Sequence, residues 1–504
     1  MYKKALISVS DKTGLEEFLK PLVKKGLELV STGGTAQFLK SKNFKVQEVQ
    51  NLTSFPEVLS GRVKTLHPFI FMPLLARKEV KKDQDVLENY KIQAFDLLVV
   101  NLYPFETKAI ELTDKEKVEW IDVGGPSLLR AGAKNYSQVT TVCDPKDYLK
   151  VQKGTDIQIR KQLAVKVFQK LSEYDSVIAN NLNKDKNSKL KEFKLKGRFF
   201  KKLRYGENPH QKADWFKTRD TGLHSVKIIQ GKELSYNNIL DFETALQAVK
   251  DFKEPCVVAV KHNNPCGIAL GDKISNSLKK TLSADSVSVF GAVLAFNQKL
   301  DIDCAKQLKD IFLEGLIAPQ FSKAGLDILK DKKNLRILEW PEMLCSSSNS
   351  SSLKEVMGGF LLQSKDKVSH IWSKNWQIIG PPPSNTIKKD LLFSWKLCSH
   401  LKSNAIAVIK NRQSLGLGMG QVNRVDSVRL ALMRKDKFHS HHKKDLILAS
   451  DAFFPFPDSI ELAYKGGVRW IIQPGGSIKD REILEKSSEL NLTMILTNQR
   501  HFKH

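Results

Sequence analysis

The stretch ALISVSDKTGLEEFLKPLVKKGLELVSTGGTAQFL, Ala5 to Leu39, decides the fold class of the first part of the chain. Ala5 to Val9 is an apolar run of strand length, and a helix-period segment follows from about Thr13. Leu29 to Ser31 is a second apolar run, and another helical segment begins after Gly34. With the apolar run Phe95 to Leu102, this alternation predicts an α/β fold of parallel strands joined by crossover helices.

Working outward, a helical stretch from Gln158 to Asn181 is followed by a polar, strongly basic passage with almost no apolar periodicity, so 186–198 reads as a linker. The domains predicted are 1–185 and 199–504. The second also carries buried-strand signals, at Cys256 to Val260, Val287 to Phe296, Ala405 to Ile409 and Trp470 to Ile472, separated by helical segments. The runs SSSNSSS, Ser346 to Ser352, and PPP, Pro381 to Pro383, read as exposed loops and suggest two lobes dividing near 345–385. No repeat of fixed period is visible.

At 504 residues the chain exceeds the roughly 250 to 300 at which a single core stops growing, so at least two domains are expected. With 41% hydrophobic and 27% charged residues the composition is that of an ordinary globular protein. No apolar run approaches the roughly 20 residues that cross a bilayer, and the opening residues read as strand and helix rather than a signal peptide; a cytoplasmic protein is expected. Cys143, Cys256, Cys266, Cys304, Cys345 and Cys398 are scattered without a Cys-x-x-Cys pair, so reduced thiols are expected and no metal site. The cluster HSHH, His439 to His442, has no acidic or cysteine partner nearby. The net charge of +26 favours anionic partners. Nucleic acid is disfavoured among them, because the lysines are spread along the chain and do not interleave with aromatics.

Several patches could carry chemistry. STGGT, Ser31 to Thr35, lies between strand and helix, where glycines let a helix N-terminus close on an anion; as easily, such a turn is structural punctuation. GRVKTLHP brings Arg62, Lys64 and His67 together, suited to a phosphate and a polarised carbonyl, or else forms a solvated basic loop. NLYPF sets Asn101 and Tyr103 at the end of a strand, where open parallel sheets bind ligands, although Tyr103 could be a core aromatic. IDVGGPSLLRAGAKN offers Asp122 before a Gly-Gly-Pro turn and Lys134 after a helix, placed in one crevice only by the fold. LRYGENPHQ groups Arg204, Tyr205, Glu207, Asn208 and His210 on a turn enforced by Gly206 and Pro209.

AVKHNNPCG is the most pointed. Adjacent strand residues face opposite sides, so Lys261 and His262 converge only if the strand ends there, as Asn263 to Gly267 implies. A histidine and a lysine so placed supply a general base and a proton donor, unless they are a buried structural pair. Farther on stand Asn404 in LKSNA, Arg424 and Asp426 in GMGQVNRVDS, Asp451 between its serine and the phenylalanines of ASDAFFPF, IQPGGS, and the terminal TNQRHFKH. Phe453, Phe454 and Phe456 could wall a flat heterocycle or belong to the core.

In order, STGGT, GRVKTLHP, NLYPF, IDVGGP with AKN, LRYGENPHQ, GKELSYNN, VKHNNPCG, SNAI, GQVNRVDS, ASDAFFPF, IQPGGS and RHFKH resemble the bifunctional aminoimidazole carboxamide ribonucleotide (AICAR) transformylase and inosine monophosphate (IMP) cyclohydrolase family over nearly the whole chain. The resemblance implies an N-terminal methylglyoxal-synthase-like doubly wound sheet, a C-terminal transformylase of two cytidine-deaminase-like lobes, and a homodimer with transformylase sites at its interface. It implies no tightly bound cofactor, 10-formyltetrahydrofolate as cosubstrate, and allows a structural potassium ion.

Carried over by motif, His262 and Lys261 handle protons in formyl transfer and Asn404 positions the reacting groups. Arg204, Tyr205, Arg424 and Arg500 contact the nucleotide and Asp451 holds the folate pterin, while His210, Asn237 and Phe454 bind substrate. In the first domain Lys64, Tyr103, Asp122 and Lys134 assist ring closure. Ser10, Lys12, Ser31, Thr32, Gly34, Thr35, Arg62, Thr65, Asn101, Gly124 and Gly125 bind the substrate there.

The pattern departs in three places. FIFMPL, Phe69 to Leu74, has Met72 and Pro73 where the family has two glycines. DSVSVFGA, Asp285 to Ala292, lacks a proline and a glycine, and Asn498 replaces a glycine that a left-handed turn could spare. These leave open a chain with one activity, the transformylase foremost; a basic nucleic-acid-binding protein is the alternative of another class.

Overall fold

The computed structural model describes residues 2–59, 62–108, 112–183, 193, 195–345 and 351–504. Most of the linker expected at 186–198 and of the serine run at 346–352 therefore lies outside the described residues. The chain divides into two compact units, Met1–Phe193 and Lys194–His504.

The first unit is built on five parallel strands, β1 (Lys4–Val9), β2 (Glu28–Ser31), β3 (Val46–Glu48), β4 (Leu97–Asn101) and β5 (Thr140–Val142), in the order β3-β2-β1-β4-β5. Alternate residues of β1 feed two cores: Ala5, Ile7 and Val9 pack with Phe18, Leu19 and Leu39 on one face, and Leu6 with Ile70, Leu128 and Val167 on the other. Burial of both faces explains why these strands read as continuous apolar runs. The order reverses between β1 and β4, so the crevice beyond Val9 and Asn101 is the switch point of a doubly wound sheet, where ligands bind. FIFMPL lies within the helix Pro68–Leu75, whose Ile70, Pro73 and Leu74 are buried, so Met72 and Pro73 are helical here.

The second unit has a two-stranded ribbon of β6 (Arg198–Lys202) and β7 (Asp214–Lys217). Its main sheet uses β8 (Lys227–Gln230), β9 (Cys256–Lys261), β10 (Asn264–Leu270), β11 (Val293–Phe296), β12 (Gly315–Ala318) and β13 (Arg336–Glu339). After a separate hairpin of β14 (Ser351–Val356) and β15 (Gly359–Ser364) come β16 (Gln377–Ile379), β17 (Ile406–Lys410), β18 (Gln413–Gly418), β19 (Leu446–Ser450), β20 (Val468–Gln473) and β21 (Thr493–Leu496). The twelve-stranded order is β16-β21-β20-β19-β17-β18-β10-β9-β11-β12-β13-β8.

Read outward from its centre, that order repeats. Each half has a first strand, a long helix (Tyr236–Val249 or Asn385–Ser399), an antiparallel hairpin, a second helix (Ile274–Ala284 or Arg424–His439) and three more parallel strands separated by helices, and its first strand closes antiparallel on its last. The halves meet edge to edge through β18 and β10. The repeat escapes the sequence reading because it lives in topology rather than in recurring residues. The strand expected at Val287 to Phe296 is confined to Val293–Phe296; Val287 and Phe290, 63% and 58% exposed, belong to the preceding loop.

The helix Arg424–His439 lies against β18 closely enough that a Cβ on Gly418 would sit 1.9 Å from the Ser427 carbonyl oxygen, and one on Gly416 equally close to that of Ala431. Gly418→Ala should therefore cost about 1–3 kcal/mol or more through overpacking against rigid backbone, read as a lowered thermal midpoint; an unchanged midpoint would contradict this contact.

Candidate functional sites

In the first unit, the helix Gly33–Ser41 begins at the end of β2, with Gly33 at φ 47° and open space beside Gly34. A Cβ on Gly33 would lie 3.7 Å from Lys64 Nζ, so the ammonium stands at a helix N-terminus whose first N–H groups are unsatisfied within the helix. Ser31 and Thr35 build this turn rather than line it. Both are buried, Ser31 donating to Ile7 O at 2.7 Å and Thr35 to Val9 O at 3.0 Å. Thr32 is the N-cap residue, but its side chain makes no capping bond.

Across the crevice the helix Gly124–Lys134 starts beside Asp122. Gly125 N–H donates to Asp122 Oδ1 at 2.8 Å, and a Cβ on Gly125 would collide with Asp122 Oδ2 at 2.4 Å. A Cβ on Gly124 would meet the buried Thr65 hydroxyl at 2.8 Å. Burial pushes the Asp122 carboxyl above its ordinary range, against the opposing pull of the Gly125 N–H and the Lys64 ammonium. Tyr103 is 42% exposed, its ring edge-on to Trp120 at 6.3 Å, so it is no core aromatic.

Other choices find different employment. Asn101 Oδ1 accepts from Ser10 N at 2.6 Å and Asp11 N at 2.9 Å, and its Nδ2 donates to Asp11 O, so its amide holds the β1 loop. Lys12 Nζ stands 6.0 Å from the Phe38 ring centroid. His67 caps the helix Pro68–Leu75 through Nδ1, and Arg62 pairs with Glu119. Lys134, expected in the same crevice as Asp122, stands away from it. It is exposed at the far end of the helix from Gly124, about 15 Å along the axis at 1.5 Å per residue, so the chain's own fold does not bring it to Asp122.

In the second unit β9 ends at Lys261, as expected, and His262 and Asn263 form a two-residue turn with φ of 55° and 60° before β10 begins. Two consecutive positive φ values mark a primed hairpin turn, matched to strand twist but costly for side chains other than glycine. Asp241 on the helix Tyr236–Val249 holds the turn, accepting from Asn263 N at 2.6 Å, while the Thr244 hydroxyl donates to Asn263 Oδ1. Neither was chosen from the sequence, although Asp241 lies four residues after Asn237, on the same helical face. Asn237 Nδ2 donates to Glu207 O at 3.2 Å and so ties the LRYGENPHQ turn to this helix. There the Arg204 guanidinium covers the Tyr205 ring at 4.6 Å, and His210 is exposed.

Lys261 and His262 line a cavity of about 320 Å³ whose opposite wall is Ser414 to Leu417, Met419 and Gln421 of the second half. Lys261 Nζ donates to Phe290 O at 2.7 Å, which places DSVSVFGA at the site. Its remaining glycine, Gly291, takes φ 78°, whereas Ala292 is a buried residue outside the left-handed region, so the lost glycine is spared. Asn498, with φ 57°, likewise adopts the left-handed turn expected of it. Cys266, also on the cavity, is no nucleophile: burial pushes its thiol up to about 12.

Behind Gln421 a buried network closes. Arg424 Nη1 bonds Asp451 Oδ1 and Ser450 Oγ, Arg424 Nη2 donates to Asn404 Oδ1 at 2.7 Å, and Asn404 Nδ2 donates to Gln421 O at 2.9 Å. Ser403 supplies the other oxygen of Asp451 with a proton donor. These bonds correct the expected ligand roles of Arg424 and Asp451: the pair is buried and mutually satisfied, leaving no carboxylate oxygen for a pterin. Phe454 is 0% exposed and cannot wall a ligand, while Phe456 is 52% exposed and Asp458 is the exposed carboxylate of this segment. Arg500 lies exposed over the Phe502 ring at 4.6 Å. Of the HSHH cluster, His439 packs against Ala284 O; among the described residues no three His, Cys, Asp or Glu side chains converge as a metal cage would require.

Residues 132–434 match the family described as the AICARFT/IMPCHase bienzyme, and residues 14–127 match the MGS-like domain. The chain belongs to the AICARFT/IMPCHase bienzyme family. The bifunctional purine biosynthesis protein PurH of Aquifex aeolicus is 43% identical over 99% of this chain and 100% of its own length. Its namesake in Fusobacterium nucleatum is 44% identical over 100% of both chains. A solved structure of ForH is 31% identical, covering 36% of this chain and 100% of its own, with a TM-score of 0.33. The MGS-like match falls within the first unit, and the bienzyme match, which begins at residue 132 of that unit, takes in the hairpin of Lys261 and His262.

The half-buried carboxyl of Asp122 bears on stability. With its folded pKa raised, Asp122 favours the fold fully below its unfolded pKa near 3.9, and that contribution is lost as pH rises through the folded value. Asp122→Asn, which keeps the acceptor for Gly125 N–H, should raise the thermal midpoint at pH 7, with a gain that shrinks on acidification. A midpoint that falls at pH 7 would contradict the strain assigned to this carboxylate.

Proposed function

We propose an assignment of the family's two activities to the two units and to named residues. The chain catalyses the last two steps of IMP formation: the formyl group of 10-formyltetrahydrofolate passes to the 5-amino group of AICAR, and the formylated nucleotide loses water as its ring closes. The observation that carries the assignment of the first step is the His262 turn, which presents an imidazole and an ammonium on one cavity.

In formyl transfer the amine nitrogen attacks the formyl carbon, the bond from that carbon to folate N10 breaks, and N10 gains a proton as the amine loses one. His262 takes the amine proton and Lys261, at the cavity edge, assists protonation of N10. Arg204, Tyr205 and Asn237 hold the nucleotide, with His210 and Arg500 contributing from the exposed rim. The folate head is assigned to Phe456 and Asp458 in place of Phe454 and Asp451, on the strength of their exposure. Asn404 acts through Gln421, whose carbonyl it holds.

Ring closure is intramolecular: the carboxamide nitrogen attacks the formyl carbon and water departs, so pre-orientation supplies much of the rate. The Gly33–Gly34 helix terminus and Lys64 take the phosphate, while Asp122, held by Gly125, and Tyr103 act on the reacting groups. A homodimer is the expected working form, tested by sedimentation equilibrium.

In a coupled assay with AICAR and 10-formyltetrahydrofolate, His262→Ala should lower tetrahydrofolate release about 10²–10⁴-fold, the range of general-base catalysis. Wild-type release by the folded variant would overturn the assignment.

A further inference from the structure

The repeat in the second unit contains a matched control for its own catalytic turn. In the first half, β9 ends in Lys261, the turn residues His262 and Asn263 take φ of 55° and 60°, and β10 begins at Asn264. In the second half, β17 ends in Lys410, the turn residues Asn411 and Arg412 take φ of 52° and 54°, and β18 begins at Gln413. Each turn is held by an aspartate at the sixth position of the half's long helix: Asp241 accepts from Asn263 N at 2.6 Å, and Asp390 from Asn411 N at 2.9 Å. Even the lysines correspond. Lys261 Nζ donates to Phe290 O at 2.7 Å and Lys410 Nζ to Lys444 O at 2.8 Å, each a carbonyl shortly before the half's next strand.

The frame of aspartate, primed turn and tethered lysine is therefore a property of the fold, present twice. The halves differ in what the turn displays. Only the first carries a histidine, and only there does a threonine one helical turn on, Thr244, add a second grip by bonding the Asn263 side chain. A turn with two non-glycine residues at positive φ is held in place only when its surroundings over-determine it. Asp241 is the group that does so: its carboxylate meets the Asn263 N–H and lies close to that of His262.

We propose that Asp241, aided by Thr244, is a positioning residue for formyl transfer, fixing the backbone of the His262–Asn263 turn so that the imidazole stays on the cavity it lines. The inference rests on the reading of His262 as the proton acceptor. Asp241 touches no substrate in this role; its effect reaches the reaction through the turn.

The experiment compares Asp241→Ala, Asp241→Asn, Thr244→Val and the matched Asp390→Ala in the full chain, by thermal midpoint and by kcat and KM for tetrahydrofolate release. Asp241→Ala should lose about 10- to 100-fold in kcat, the scale of a misplaced group. KM for the nucleotide should change little, Asp241→Asn should recover most of the loss, and Thr244→Val should lose a smaller factor. Asp390→Ala should lower the midpoint comparably while kcat stays within about two-fold of wild type, because its turn carries no reacting group. Equal kcat losses in Asp241→Ala and Asp390→Ala would reduce Asp241 to a general stabiliser and overturn the proposal. So would wild-type kcat in a folded Asp241→Ala chain, or wild-type kcat in Thr244→Val should Asp241→Ala not fold. Full activity of His262→Ala, measured alongside, would instead remove the reading beneath the inference, and the inference with it.

Discussion

One hydroxyl bridges the narrowest point of the twelve-stranded sheet. Between β10 and β18 the ladder has a single registered pair, Ala269 with Gln413, and Ser414 Oγ makes up the deficit by accepting from Ile268 N at 3.0 Å and donating to Ile268 O at 3.2 Å. Lys280 adds a clasp by donating to Leu270 O and Asn411 O, and Gln413 Nε2 returns to Lys280 O. Two halves that would each end in an open edge are thus sealed into one sheet, which satisfies backbone groups that burial would otherwise leave costly. The cavity of Lys261 and His262 lies along this seam, with walls from both halves.

The two sites treat charge differently. In the first unit Asp122 is half-buried against glycines and left short of full compensation, so its carboxyl is pushed above its ordinary range. In the second, Asp451 is more deeply buried but saturated by Arg424 and Ser403. A buried pair of that kind fixes geometry rather than reacting, because removing either partner would strand a charge. Its geometric output is the placement of Asn404 and, through it, of the Gln421 loop at the cavity.

Much of this was legible in the sequence wherever a local rule decided the outcome. The alternation from Ala5 to Leu39 specifies the parallel sheet, and the strand does end at Lys261; the break expected over Asn263 to Gly267 is only the two-residue turn His262–Asn263, since Asn264 to Gly267 already belong to β10. Asn498 stands at a left-handed position as its type allows. What escaped depends on distance through space. Arg424, Asp451 and Phe454 sit in motifs that also contain exposed polar and aromatic residues, and only packing separates the buried members from the accessible ones. Lys134 and Asp122 share a motif but stand at opposite ends of a helix. The internal repeat was invisible because its halves share strand order and turn geometry while their turns read His-Asn in one and Asn-Arg in the other.

In the proposed assignment, ring closure and formyl transfer run on separate residues in separate units. It is tested most directly by supplying the preformed formylated nucleotide without folate and following IMP formation by the His262→Ala chain beside wild type. Equal rates are expected, since Asp122, Lys64 and Tyr103 are untouched. A parallel loss of ring closure on changing His262 would contradict it and place both reactions at the second-unit cavity.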